Sequence, residues 1–248
     1  MFCQTGSVTT DATSFGQAAE SYDQARPTYP SDAVDLLLGE HTRQVVDVGA
    51  GTGKLTAALR TPGREVVAVD PDEAMLARLR GAVPSVRTLV GTAESIPLPD
   101  RWADLVTFGQ AWHWVDVPAA SAEVGRVLRP GGRLGLLWNI RDTSEPWVAE
   151  LGDVMGSSAA ERLIEGDDGV RLTGPFGPLA EQVVSWSMVF DAESLVTLAA
   201  SRSYVITAEP VDRDRILAGV RDLAGQVAGA DGMITMPYRT HVFQAVRD

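Results

Sequence analysis

Cysteine and lysine are nearly missing from this 248-residue chain, where Cys3 and Lys54 each stand alone. A single thiol makes an intramolecular disulfide impossible, excludes a zinc site built on several thiolates, and fits a reducing compartment. One lysine leaves no polybasic patch of the kind that binds anionic lipid. Positive charge is scarce in general: 21 basic residues face 33 acidic ones, and the net charge of -12 repels a phosphate backbone. Nucleic acid is therefore not an expected partner. No uncharged apolar stretch approaches the roughly 20 residues that cross a bilayer, and residues 1–13 lack both the basic start and the apolar core of a secretory leader. A cytoplasmic protein without membrane contact is expected. The three histidines, His41, His113 and His241, are scattered, and no paired carboxylate spacing accompanies them, so no metal is expected.

What is present is an ordinary globular composition, with 45% hydrophobic and 22% charged residues. It suits one α/β domain with insertions. In the first 140 residues short apolar runs alternate with helical patterns, the sequence form of repeated βαβ units. The runs 44–48, 65–70, 86–90, 104–108 and 133–138 are rich in Val and Leu on both faces, as in a buried parallel sheet. Helices are predicted over 54–60, 72–81 and 118–128, the last ending at Arg129-Pro130-Gly131-Gly132, where proline stops a helix and the glycines permit a sharp turn. Beyond Asn139 the pattern loosens; strands at 183–190 and 239–246 and helices at 194–201 and 212–227 read as sheet completion plus a helical cover.

The most informative segment is Asp47-Val48-Gly49-Ala50-Gly51-Thr52-Gly53, a strand end entering a glycine-rich turn and then a helix. Bare backbone there lets a ligand sit against the chain, as in nucleotide sites. Two phosphate loops fit poorly. A P-loop needs glycine where Val48 stands and Ser or Thr where Leu55 stands, and the dinucleotide fingerprint needs glycine at Lys54. Asp70 ends the second apolar run and is suited to accept from both hydroxyls of a ribose. Asp47 would repel a phosphate but suits a ligand bearing positive charge. Adenosine without a pyrophosphate satisfies these features together.

These residues resemble the class I S-adenosylmethionine-dependent methyltransferases. Asp47-x-Gly49-x-Gly51-x-Gly53 is similar to the family's first motif, and Asp70, followed by Pro71, matches the acid ending its second strand. Gly91-Thr92-Ala93-Glu94 with Ile96-Pro97-Leu98-Pro99-Asp100 looks like its adenine loop, and Leu128-Arg129-Pro130-Gly131-Gly132 like the turn before strand five. Residues 15–30 and 110–116 look like a small-molecule branch that includes enzymes methylating aconitate-like acids. The resemblance implies a Rossmann-like, doubly wound, mostly parallel seven-stranded sheet with a helical cover over the active site. One domain would span 1–248, with a lid segment at 10–30, a cofactor-binding core at 40–140, and sheet completion with substrate-covering helices at 141–248; monomer or homodimer is expected.

By the family pattern, S-adenosylmethionine is the cofactor. Asp47, Gly49, Gly51, Gly53, Asp70 and Pro71 hold it, Gly109 and Gln110 offer carbonyl oxygens to its ammonium, and Tyr22 and Arg26 close over its carboxylate. Many relatives have aspartate where Thr92 stands here, which leaves the base to the backbone of Ala93 and Glu94. Methyl transfer to a small-molecule acceptor proceeds by in-line displacement, with His113 as the general-base candidate and Trp112, Trp114, Trp147, Arg202 and Tyr204 as acceptor contacts.

Each residue also has a plainer reading. The glycines make a tight turn, Asp70 serves as a helix cap, Arg26 pairs with Asp23, the tryptophans are packing, and His113 holds its loop together. Two other functions share the pattern, a nicotinamide-dependent oxidoreductase and a non-catalytic S-adenosylmethionine-binding protein with a blocked acceptor cavity.

Overall fold

Valine and leucine runs become central strands because both of their faces are covered. A computed structural model describes residues 26–166 and 169–248, which fall into two compact units, 27–189 with 235–248, and 26 with 190–234. In chain order the elements are α1 (Ser31–Leu37), β1 (Gln44–Val48), α2 (Lys54–Leu59), β2 (Glu65–Asp70), α3 (Glu73–Ala82), β3 (Arg87–Val90) and β4 (Ala103–Gly109). A single 3-10 turn (Trp112–Trp114) precedes α4 (Val117–Val127), β5 (Leu128–Arg141), α5 (Pro146–Met155), α6 (Ala159–Glu165) and β6 (Ala180–Phe190). Then come α7 (Ala192–Ala200), α8 (Ser203–Ile206), α9 (Pro210–Val227) and β7 (Ile234–Val246).

The seven strands form one sheet in the order β3-β2-β1-β4-β5-β7-β6. β1 to β5 pair in parallel, and β7 runs antiparallel to β5 with Trp138 opposite His241 and Asn139 opposite Thr240. This is the expected Rossmann-like α/β fold. Alternate strand residues fill two cores. Val46, Val67, Val106, Phe108, Leu136 and Trp138 pack with Val124 of α4, while Val45, Leu105, Leu137 and Val242 pack with Leu37 of α1 and Leu59 of α2. Each such leucine contributes about 1.5–3 kcal/mol by leaving water. Gly135 is small for a reason, since a Cβ there would lie 2.6 Å from Leu37 Cδ2.

The turn expected at residues 129–132 is present, but inside a strand. β5 already pairs at Leu128 with Ala103, and the register then jumps so that Leu105 faces Arg133. The intervening residues bulge outward, with Gly131 at φ +76° donating its N–H to the Arg247 carbonyl at 3.0 Å. Helix starts follow local chemistry. Asp72 caps α3 by accepting from Ala74 N–H at 2.8 Å, Asp116 caps α4 by accepting from Ala119 N–H at 3.0 Å, and Ser158 with Glu161 forms a capping box on α6.

In the second unit α9 packs along α7, with Leu195, Leu198, Val220 and Leu223 buried. Arg26 belongs to this unit and donates through Nη2 to the Ser201 carbonyl at 3.0 Å and through Nε to Ser201 Oγ at 3.3 Å. Among the described residues, no helix is long and apolar enough to cross a membrane.

One feature of the sheet positions the site. The chain leaves β1 toward β2 on one side and leaves β4 toward β5 on the other, while β1 and β4 are neighbours. At such a reversal the crossovers diverge and a crevice opens beyond the carboxyl ends of the strands.

Candidate active site

The loop that leaves β1 is folded tightly against β2 and β4. Gly49 and Ala50 both donate to the Val69 carbonyl, at 2.9 and 3.1 Å, and Gly51 N–H donates to Asp70 Oδ2 at 2.8 Å. Gly49 has φ +67°, and a Cβ on it would meet Ala111 Cβ at 2.6 Å, so a side chain is excluded by conformation and by space. Gly51, at φ +54°, is different, because an added Cβ would meet nothing within 4 Å. Its bare backbone faces open space, as a loop approached by a ligand requires. At Gly53 a Cβ would lie 2.7 Å from Leu79 Cγ, so this glycine serves the packing of α3.

Asp70 is buried and already engaged. Besides Gly51, it accepts from Asp72 N–H through Oδ1 at 2.9 Å. Each carboxylate oxygen keeps a second lone pair, so the group is oriented and still able to accept. Pro71, which follows it, is exposed. Asp47 is fully enclosed beneath the loop, where Thr56 Oγ1 donates to Oδ2 at 2.6 Å and Thr107 Oγ1 to Oδ1 at 3.1 Å. Burial pushes its carboxyl up to about 7, against the lowering effect of the two hydroxyls and with a small further rise from Asp70. Its side chain thus ties α2 to β4 and supports the crevice from below.

The loop after β3 is closed by a pair of bonds between Thr92 and Ser95, each 3.2 Å. Glu123 Oε1 accepts from Ile96 N–H at 2.7 Å, and Glu94 Oε1 accepts from Asp116 N–H at 3.0 Å. These bonds leave the backbone N–H groups of Ala93 and Glu94 without an acceptor among the described residues. At the end of β4, a Cβ on Gly109 would lie 2.5 Å from Tyr29 Oη. Gln110 holds φ +56°, a costly conformation for a side-chain-bearing residue. Two bonds enforce it, from Gln110 N–H to the Leu137 carbonyl at 2.9 Å and from Nε2 to the Asn139 carbonyl at 3.1 Å. Asn139 in turn donates to the Thr28 carbonyl at 3.0 Å and accepts from Thr240 Oγ1 at 2.7 Å.

Just beyond Gln110 in the chain, the 3-10 turn over Trp112–Trp114 contributes to a pocket of about 440 Å³. Trp112, His113, Val117, Arg162, Leu163 and Arg171 are among its walls. Trp112 is buried, stands edge-on to Phe108 with centroids 4.8 Å apart, and donates from Nε1 to the Arg171 carbonyl at 3.2 Å. His113 Nδ1 accepts from Trp138 Nε1 at 3.2 Å. Neutral imidazole has one N–H, so this bond places the hydrogen on Nε2. Burial pushes the ring down to about 4, and at neutral pH it is an uncharged donor. Two cations, Arg162 and Arg171, reach the same pocket, and the Arg162 guanidinium is anchored on the Ser157 carbonyl.

The remaining expected contacts are spread out. Trp114 is 71% exposed with its ring 4.8 Å from that of His113, and Trp147 is half-buried at the start of α5; neither lines the pocket. Arg202 and Tyr204 belong to the helical unit, and Tyr22 lies outside the described residues. Sequence reasoning missed Trp138, Asn139, Tyr29, Arg162 and Arg171. Among the described residues no group of three or more His, Cys, Asp or Glu side chains is placed to hold a metal.

A methyltransferase-domain model matches residues 46–136. An uncharacterized methyltransferase of Mycobacterium tuberculosis is 46% identical over 233 residues, covering 92% of this chain and 93% of its own. The chain belongs to the methyltransferase family. S-adenosylmethionine is the cofactor of this methyltransferase, and membership removes the oxidoreductase reading. A malonyl-[acyl-carrier protein] O-methyltransferase of Serratia marcescens is 37% identical over 158 residues, 62% of this chain and 60% of that protein. The solved structure of a putative type II methyltransferase from Anaeromyxobacter dehalogenans shares the fold, with TM-score 0.60 and 21% identity over 90% of this chain and 97% of that one. The crevice fits the cofactor. Open space at Gly51, a buried carboxylate with lone pairs to spare at Asp70, and backbone donors at Ala93 and Glu94 without an acceptor among the described residues suit a glycoside and a base.

Proposed function

We propose that this methyltransferase esterifies a carboxylate on a small-molecule acceptor bound in the pocket beside His113. The observation that carries the reading is the state of that histidine. A hydroxyl or ammonium acceptor must lose a proton to a base near neutrality. His113 has its Nδ1 lone pair committed to Trp138 and its basicity lowered to about 4. A carboxylate is already a nucleophile and needs no base. Arg162 and Arg171 supply the charge that an anionic acceptor seeks, and the neutral Nε2–H of His113 supplies a directed donor. The O-methyltransferase from Serratia marcescens, named for a malonyl group, is consistent with this choice.

On this reading Asp70 takes the ribose hydroxyls, Ala93 and Glu94 define the base through their backbone, and Gly109 and Gln110 turn carbonyl oxygens toward the cationic end. When bound, the cofactor supplies a methyl group on a positively charged sulfur, already activated for displacement. The protein aligns the acceptor and keeps water out, and such alignment contributes on the order of 7–11 kcal/mol to lowering the barrier. An open pocket of about 440 Å³ favours an enzyme over a binding protein with a blocked cavity.

The test is incubation with methyl-labelled cofactor and a metabolite extract, followed by mild alkali. A methyl ester releases its label as methanol on saponification. Label that stays on the product after alkali would place the methyl on nitrogen, carbon or an ether oxygen and overturn the carboxylate assignment.

A further inference from the structure

The far end of the sheet carries an opening that neither the cofactor crevice nor the acceptor pocket uses. It encloses about 670 Å³ between the turn that enters β2 and the turn that enters β3. Arg60, Arg64 and Arg87 line it with the hydroxyl residues Thr61 and Ser85, and Glu65 is the one acid in its described lining. Such a concentration of guanidinium groups is unexpected in a chain with 33 acidic and 21 basic residues.

Arg64 is held rigid. Its Nε donates to the Thr42 carbonyl at 3.2 Å, and its Nη1 donates to the Leu59 carbonyl at 3.2 Å and to Thr61 Oγ1. The Nη2 edge has no acceptor among the described residues. Arg60 and Arg87 are exposed, and neither makes an ion pair or a side-chain hydrogen bond among the described residues. Elsewhere arginines find carboxylates, as Arg126 does with Asp100 and Glu123 and Arg141 does with Glu161. Burial, and after it the neighbouring Arg43, lower the proton affinity of Arg64, while Asp35 acts in the opposite sense.

We propose that this groove is a second ligand site, for a phosphate-bearing anion. The guanidinium fork matches two phosphate oxygens at once, a preformed Nη2 edge lowers the ordering cost, and the hydroxyls of Thr61 and Ser85 add neutral donors. β2 begins at the groove with Glu65 and ends in the crevice with Asp70, so the two sites lie roughly 17 Å apart along one strand at about 3.3 Å per residue.

Inorganic pyrophosphate, titrated calorimetrically into the full chain at constant ionic strength, tests the proposal. The demethylated cofactor is kept saturating, so that the crevice is occupied. Saturable binding of one pyrophosphate per chain is expected, with a Kd below about 1 mM. The double variant Arg60→Gln/Arg87→Gln should weaken it by about tenfold or more, with thermal stability and demethylated-cofactor affinity unchanged. Heats that fail to saturate by about 10 mM, or equal affinity in the double variant, would overturn the site.

Discussion

The crevice beyond β1 and the pocket beside His113 each depend on a titratable group that burial holds toward its neutral form, but they are supported by different means. Asp47 sits beneath the crevice between two threonine hydroxyls, and its carboxyl is raised to about 7. His113 sits in the pocket wall against an indole N–H, and its ring is lowered to about 4. Around Asp47 the partners come from the loop-bearing strands and the helix that follows. Around His113 they come from β5 and from the chain near α6, far away in sequence. The lesson is that backbone turns define the crevice, whereas the pocket is defined by side chains brought together only by folding.

That contrast can be broken in order of expected effect. Asp70→Ala removes the acceptor of Gly51 and Asp72 together with the proposed ribose contact, so affinity for the demethylated cofactor should fall by about a hundredfold, roughly 3 kcal/mol. Calorimetry reads this directly, and an affinity within threefold of the parent, on the order of 0.6 kcal/mol, would dissociate Asp70 from the crevice.

Asp47→Asn probes stability instead. A carboxyl raised from 3.8 to about 7 binds its proton more tightly in the folded state, so its favourable contribution is present at low pH and is lost as pH rises through about 7. Denaturant melts should therefore show the Asn variant gaining on the parent by roughly 2–3 kcal/mol between pH 5 and pH 8. His113 acts in the opposite sense: its lowered value costs stability as pH falls from 6.5 toward 4, so His113→Gln should gain on the parent toward acid, by less because the ring is partly solvated. Parallel curves for either variant and its parent would remove the corresponding shift.

On the pocket side, the double variant Arg162→Gln/Arg171→Gln should raise the acceptor KM by about tenfold, with cofactor affinity unchanged. A change in cofactor affinity of the same size would merge pocket and crevice into one site. Smallest of all should be the effect of Trp138→Phe on kcat, a few-fold at most, since it frees Nδ1 without removing the ring.

The sequence made the crevice legible because its features are local. Strand, glycine turn and the acid at Asp70 follow one another within 24 residues, and the runs over β1 to β4 emerged close to their observed bounds. The pocket was not legible, because nothing in the local pattern links Trp138 to His113 or brings Arg162 and Arg171 to the same wall. The motif presents Asp47 as a partner for a positively charged ligand, whereas its structural setting, enclosed between the hydroxyls of Thr56 and Thr107, arises only through the packing of α2 on β4 and is not legible in the sequence. β6 and β7 begin earlier than their alternation suggested, at Ala180 and Ile234, since pairing with neighbours extends strands past their apolar cores.

The state of His113 is the hinge of the functional account, and nitrogen NMR of the three histidines, with His113→Gln for assignment, reads it most directly. His113 is expected to carry its hydrogen on Nε2 and to stay neutral from pH 8 down to near its value of about 4. A ring that protonates near 6.5, or that carries its hydrogen on Nδ1, would restore it as a general base and contradict the carboxylate assignment.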